Sequence, residues 1–383
     1  MCADKMRSQI TRTSHETLPI MGTRALNRAL LARQMLLTRA PYSTLEVISH
    51  LVGLQAQSPN APYFALWSRI QGFQQEDLSS LIRERKIIRI ALMRSTIHLV
   101  SAQDGLSLRP WVQSAHERGL KGAYGKLLGD VRLDDIAASG RALVEASPLT
   151  FNEMGKCLQQ QWPDRDPGAL AAVVRTRVPL VQLPPRGLWG ESGQAIHTSI
   201  EAWLNLPLTS HPEPEEFILR YLAAFGPATI KDIQVWSGLT RLNTYVERLL
   251  PQLIRFRNEQ GTVLYDLPDA PRPDPDTPAP LRFLGEYDNI LLSYADRNRI
   301  LDDSFRKRVF TSNGIIRSTL LLDGFVGTWR IERERNAATL TIQPFIQLRD
   351  EDRHGIAEEG MQLLQFAAAH DATHTVKFLP IEE

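Results

Sequence analysis

Cysteine is almost missing from this 383-residue chain, with Cys2 and Cys157 as its only two. Two such distant residues make no disulfide framework and no metal-ligand spacing, which fits a reducing, cytoplasmic setting. No apolar run approaches the roughly 20 residues that span a bilayer, and the first 20 residues are polar rather than signal-like, so no membrane association is expected. Also missing are a Gly-rich phosphate loop, a Gly-x-Ser-x-Gly elbow and an HExxH pair, and the His residues are scattered. No metal and no cofactor is therefore expected. Net charge is nearly absent too, at +1, which argues against a uniformly basic surface.

What is present is an ordinary globular composition, 43% hydrophobic and 23% charged, long enough for two to four domains. The charge is unevenly placed. Residues 1–130 carry 17 Lys and Arg against 9 Asp and Glu, residues 131–280 carry 14 against 18, and residues 281–383 carry 13 against 16. On that basis an anionic partner is expected on the N-terminal third.

A local pattern recurs three times. It reads Pro41-Tyr-Ser-Thr-Leu-Glu-Val47, Pro148-Leu-Thr-Phe-Asn-Glu-Met154 and Pro227-Ala-Thr-Ile-Lys-Asp-Ile233. Each is a helix start, with Thr44, Thr150 and Thr229 as N-cap candidates and Glu46, Glu153 and Asp232 near the positive end of the helix dipole. A second helix and a hairpin-like alternation follow each start. The hairpin is clear at 87–100 and at 253–267, where Asn258-Glu-Gln-Gly261 supplies the turn, but Pro184 and Pro185 should leave the middle one short or bent. Helix, helix-turn-helix and hairpin is the winged-helix order, which serves DNA reading and also plain packing.

The fold class expected is α+β, three tandem winged-helix units followed by a small C-terminal β-barrel domain. The units span 20–130, 131–208 and 209–268. A stiff proline-rich linker occupies 269–280, and residues 281–383 hold strand-like runs at 281–284, 315–322, 325–332, 338–344 and 377–380 around one helix at 350–370. Asp288, Asp296 and Asp302 are expected to pair with Arg297 and Arg299 inside that barrel.

Four ordered segments carry a family resemblance: His50 to Trp67 with its Gln55-Ala56-Gln57, Arg94-Ser-Thr-Ile-His-Leu-Val100, Glu286-Tyr-Asp-Asn-Ile-Leu-Leu-Ser-Tyr-Ala-Asp-Arg297, and Leu321-Leu-Asp-Gly-Phe-Val-Gly-Thr-Trp-Arg330. Together they resemble the winged-helix DNA glycosylases of the AlkZ-like and YcaQ-like type, and the likeness covers nearly the whole chain. It implies a DNA-binding channel and excision of alkylated purines, N7-alkylguanine above all, with bulky adducts and in some members interstrand crosslinks. It also implies catalytic roles for Gln55 and Gln57. Ser95 departs from the Gly, and Tyr294 from the His, that such proteins often carry.

Glutamine has no base strength near neutral pH, so a Gln-x-Gln site suits only a leaving group already activated by charge. N7-alkylation provides one, leaving the protein to position a water and to aim dipoles at C1′. Residues two apart diverge on a helix, so the motif is expected in an extended or turning loop. Alternation places His98 on one face with Thr96 and Arg94, and Arg89, Arg94 and Arg297 are candidate phosphate ligands. The expected partner is damaged duplex DNA, met by a monomeric, monofunctional enzyme, since no Lys adjoins the motif. A non-catalytic DNA-binding regulator and a protein-binding structural module are the other readings open to the residues.

Overall fold

The computed structural model describes residues 18–210 and 212–381, and Cys2 lies outside them. The three recurring helix starts each close a capping box, in which a side-chain hydroxyl bonds the amide three residues on and an acid bonds back. Thr150 with Glu153 and Thr229 with Asp232 do so as expected. In the first copy the cap is Ser43 rather than Thr44, because Glu46 reaches back three residues, to Ser43. The extra residue in that copy shifts the cap by one.

Downstream, the first region contributes β1 (Leu54–Gln55), β2 (Ile87–Ala91) and β3 (Ile97–Ser101), and the second β4 (Leu180–Gln182) and β5 (His197–Ser199). They join into one antiparallel sheet of order β1-β3-β2-β4-β5. The middle hairpin is short, as its prolines imply. A long loop separates β4 from β5, and Tyr63 Oη holds it by donating to the Gly187 carbonyl at 2.9 Å. The third hairpin is β6 (Ile254–Arg257) with β7 (Val263–Asp266), and Gly261 in its turn takes φ +78°, a left-handed conformation that glycine adopts freely.

The C-terminal region forms β8 (Arg282–Leu284), β9 (Thr319–Leu321), β10 (Phe325–Glu334), β11 (Ala337–Pro344) and β12 (Thr373–Phe378). Their order is β12-β11-β10-β9-β8, so the sheet is open and the expected barrel does not close. β12 runs parallel to β11, and a parallel pair needs a crossover, which the helix Asp350–Ala367 supplies. The run expected at 377–380 overlaps the end of this strand, whose polar alternation at an exposed edge kept its first residues out of the sequence pattern. Gly360 on that helix lies so close to Leu340 that a Cβ would sit 2.7 Å from it.

Instead of closing on itself, the sheet buries a face against the helix Ala61–Trp67. Phe64 meets Trp329 edge-on at 5.3 Å between centroids, and Ser68 donates to the Phe283 carbonyl. Two of the hydrophobic cores draw on both ends of the chain, whereas residues 120–180 have a core of their own.

Much of the N-terminal positive charge is paired within the chain. Arg33 pairs with Asp266, Arg39 with Glu359, Arg69 with Asp288, and Arg24 and Arg28 with Asp323. Arg24, Arg28 and Arg33 also donate to carbonyls of Pro275, Thr277 and Pro271, strapping the proline-rich segment to the helix Thr23–Arg33. The charge asymmetry thus binds the two ends of the chain together, and it is not wholly available to a partner. Among the described residues no helix is long and apolar enough to cross a membrane.

Candidate active site

The chain enters the Gln motif through Val52 and Gly53, both with positive φ. A Cβ on Gly53 would lie 2.4 Å from Val100 Cγ1, so only glycine lets β1 approach β3 this closely. Gln55 then pairs with His98, and the Ala56 amide extends the ladder to the Ile97 carbonyl at 2.8 Å. On the opposite side Asn289 acts as a clamp, donating to the Gly53 carbonyl at 2.7 Å and accepting from the Gln55 amide at 3.3 Å. The motif is thus the last extended step of a strand, turning into a bend at Gln57.

The two glutamines end in different surroundings. Gln55 is 6% exposed, and its Oε1 accepts from Arg94 Nη2 at 2.8 Å. Gln57 is exposed, and its Oε1 accepts from the Ile97 amide at 3.3 Å, taking the place of the next backbone acceptor. Because each oxygen faces a donor, both amide orientations are fixed by chemistry.

Arg94 and Ser95 both adopt left-handed backbone, φ +56° and +58°, a region that glycine would occupy without strain. The same turn sends Arg94 toward the Trp236 carbonyl, Gln55 and His98. His98 Nδ1 contacts the Thr96 carbonyl at 2.9 Å and Nε2 faces Arg94 Nη2 at 3.4 Å. A carbonyl requires a donor and a guanidinium an acceptor, so His98 is the neutral Nδ1–H tautomer. Burial first, then the Arg94 charge, hold its pKa down at about 3. With its lone pair engaged, His98 cannot serve as a general base.

Of the expected DNA contacts, Arg89 and His98 are each 2% exposed and face inward. Arg89 donates to the Ala56 carbonyl at 2.9 Å, supporting the motif from beneath, and burial lowers its pKa to about 10. Thr96 turns its hydroxyl back onto the Met93 carbonyl at 3.0 Å. Arg94 and Arg297 are half-buried and close enough that Arg297, after burial itself, lowers Arg94 to about 10. Burial, then Arg306, lowers Arg297, while Asp232, Asp296 and Asp303 act in the opposite sense, so cations and carboxylates are interleaved along this side.

The expected Asp–Arg pairs are not formed. Asp288 is held bidentately by Arg69 at 2.8 Å, both fully buried, which seats the neighbouring Asn289 clamp. Asp296 and Asp302 accept from local amides, of Asn298 and Ser304. Arg299 bonds the Pro227 carbonyl and lies 4.1 Å over Tyr294, while Arg297 bonds the Leu291 carbonyl at 2.6 Å. Tyr294 is buried and donates to the Phe225 carbonyl at 2.5 Å, a packing role.

Sequence reasoning gave Asn289, Glu286 and Trp189 no role. The signal for the first two was present, since the Glu286–Arg297 segment stood out without a function. Trp189 sits in the long middle loop, and only packing brings it to the site. Beginning at Ser58, the residue after Gln57, a cleft of about 740 Å3 opens between this region and the C-terminal sheet, with Phe64, Trp189, Glu286, Arg317 and Trp329 on its walls.

A family model described as DNA glycosylase AlkZ-like matches residues 48–366, and the chain belongs to that family. Over 348 residues it is 23% identical to an interstrand DNA cross-link repair glycosylase of Streptomyces sahachiroi, covering 82% of this chain and 88% of that protein. The solved structure of the Streptomyces sahachiroi DNA glycosylase AlkZ superposes with a TM-score of 0.76 at 20% identity, over 94% of this chain and 100% of that one. The shared fold is mixed α+β.

Proposed function

We propose that this member of the AlkZ-like DNA glycosylase family hydrolyses the N-glycosidic bond of cationic alkylpurines in damaged duplex DNA, N7-alkylguanine foremost, and leaves an abasic site without cutting the strand. The observation that carries this reading is the Gln55–Arg94–His98 array with Gln57 at its exposed end. Its polar groups are firmly oriented and none has base strength, which suits a dissociative reaction. As the C1′–N9 bond breaks, its electron pair neutralises the cationic purine and leaves an oxocarbenium-like sugar. Water then adds at C1′, and its proton passes to solvent. Gln57 is the group placed to orient that water. Gln55, tied to Arg94, holds the strand in position and directs its remaining lone pair toward the developing charge.

Arg94 and Arg297 are the phosphate contacts this reading favours, because the two guanidinium groups lie near each other on part-exposed residues. Arg89, Thr96 and His98 support the motif from within. Residues 20–130, 131–208 and 209–268 are read as winged-helix units lining a DNA channel, joined through 269–280 to the sheet of 281–383, in a monomer that uses no cofactor. Crosslinks through N7 of guanine fall within the same chemistry, since each linked base is itself a cationic leaving group.

The test is base release from duplexes carrying N7-methylguanine, N3-methyladenine, a bulky N7 adduct or an N7 crosslink. Free base and an alkali-labile abasic site are expected from the N7 substrates. Tight, sequence-specific binding to undamaged DNA without any base release would replace this reading with that of a regulator.

A further inference from the structure

We propose that the cleft beside the Gln motif receives the damaged base, and that Glu286 and the Trp189 ring select cationic alkylpurines over neutral purines there. The inference rests on the glycosylase reading above and assigns the recognition step to residues outside the Gln motif.

Position is the first support. Ser58, on the cleft wall, directly follows Gln57. Gly285 presses so tightly on the helix Ala61–Trp67 that a Cβ would meet the Ala61 carbonyl at 2.9 Å, and this contact sets Glu286 at the mouth of the site. Trp189 is brought there by its loop and packs on Phe64 at 5.7 Å between centroids.

Charge is the second. The Glu286 side chain is half-buried and has no hydrogen bond or ion pair among the described residues, unlike the buried acids Asp104, Asp232, Asp266 and Asp288. A partly desolvated carboxylate next to aromatic faces is unfavourable alone and favourable with a planar cation, which both attract. Arg317, exposed and likewise without a side-chain partner among the described residues, also lines the cleft and is available to a nucleotide phosphate, whereas the other arginines on its walls, Arg330 and Arg333, pair with Glu332 and Asp371. About 740 Å3 lies within the range of small-molecule pockets, roughly 300–1,000 Å3, and leaves space for an N7 substituent.

The selection reverses on reaction. Once the glycosidic electron pair has neutralised the purine, the attraction of Glu286 for it is lost and the product leaves a site that held the substrate.

Calorimetric titration of the full chain with 7-methylguanosine and with guanosine, in mildly acidic buffer where the former is a cation, tests this directly. The wild type should bind the cation about tenfold more tightly. Glu286→Gln, nearly isosteric, should erase the preference while melting at the wild-type temperature, and Trp189→Ala should weaken the methylated nucleoside. Equal affinities in the wild type, or a preference that survives in Glu286→Gln, overturn the proposal. Parallel base-release assays separate the two readings. Release from an N7-methylguanine duplex without charge preference removes only the cleft assignment, whereas charge preference without release removes the glycosylase reading.

Discussion

At the Gln motif Gln55, Gln57, Arg94 and His98 all have partners, whereas on the wall of the adjoining cleft Glu286 and Arg317 have none among the described residues. The first region is built to stay still, and the second to meet something. Satisfied, buried polar groups position atoms rigidly, and unsatisfied, part-exposed ones hold free energy that a ligand of the right charge releases. The division of labour we propose between water placement and base recognition rests on that difference.

The comparison breaks most severely if the rigid side is unseated. Asp288→Ala leaves the fully buried Arg69 without its counter-charge and should cost about 3–5 kcal/mol, read as a large drop in melting temperature. Next in size is the contrast between the two glutamines. Gln57→Ala should lower the single-turnover excision rate about a hundredfold with DNA affinity and melting temperature unchanged. Gln55→Ala should slow excision and also lower the melting temperature, because it removes an acceptor from Arg94. Equal stability effects from the two would erase the distinction drawn between them.

A smaller effect concerns protons. His98 and His116 are held near 3 and His197 near 4, in each case chiefly by burial, against 6.5 when free. Below pH 6.5 the unfolded chain therefore binds more protons than the folded one. Stability should be full above that pH and fall on acidification toward the folded values, by about 1.4 kcal/mol per pH unit for each histidine. Excision under non-denaturing conditions should show no inflection from His98, since it is neutral throughout; a rate profile breaking near 6.5 and abolished in His98→Gln would contradict that. The least effect is expected from Thr150→Ala, which removes a helix cap remote from the cleft, at about 1 kcal/mol of stability and no change in excision.

Reading the sequence located the Gln motif, two of the three helix caps and the hairpins well, and placed the first cap one residue late. It failed where a residue's fate depended on partners hundreds of positions away. Arg89 and His98 looked like surface contacts because alternation reveals a face but not what covers it. Asp288 was assigned to nearby arginines when its true partner, Arg69, lies 219 residues earlier. The barrel was expected from the run of strands, and whether a sheet closes depends on its edges, which strand counts do not disclose.

What the sequence by itself determined is what short-range chemistry can determine: capping boxes three residues wide, the glycine turn at 258–261, and a pair of amides without base strength. Only the tertiary structure decided that Gln55 is buried and Gln57 exposed, that the N-terminal arginines face C-terminal carboxylates, and that a loop broken by prolines brings Trp189 to a cleft. Burial and ion pairing are properties of surfaces brought together by packing, and no local pattern records which surfaces those will be.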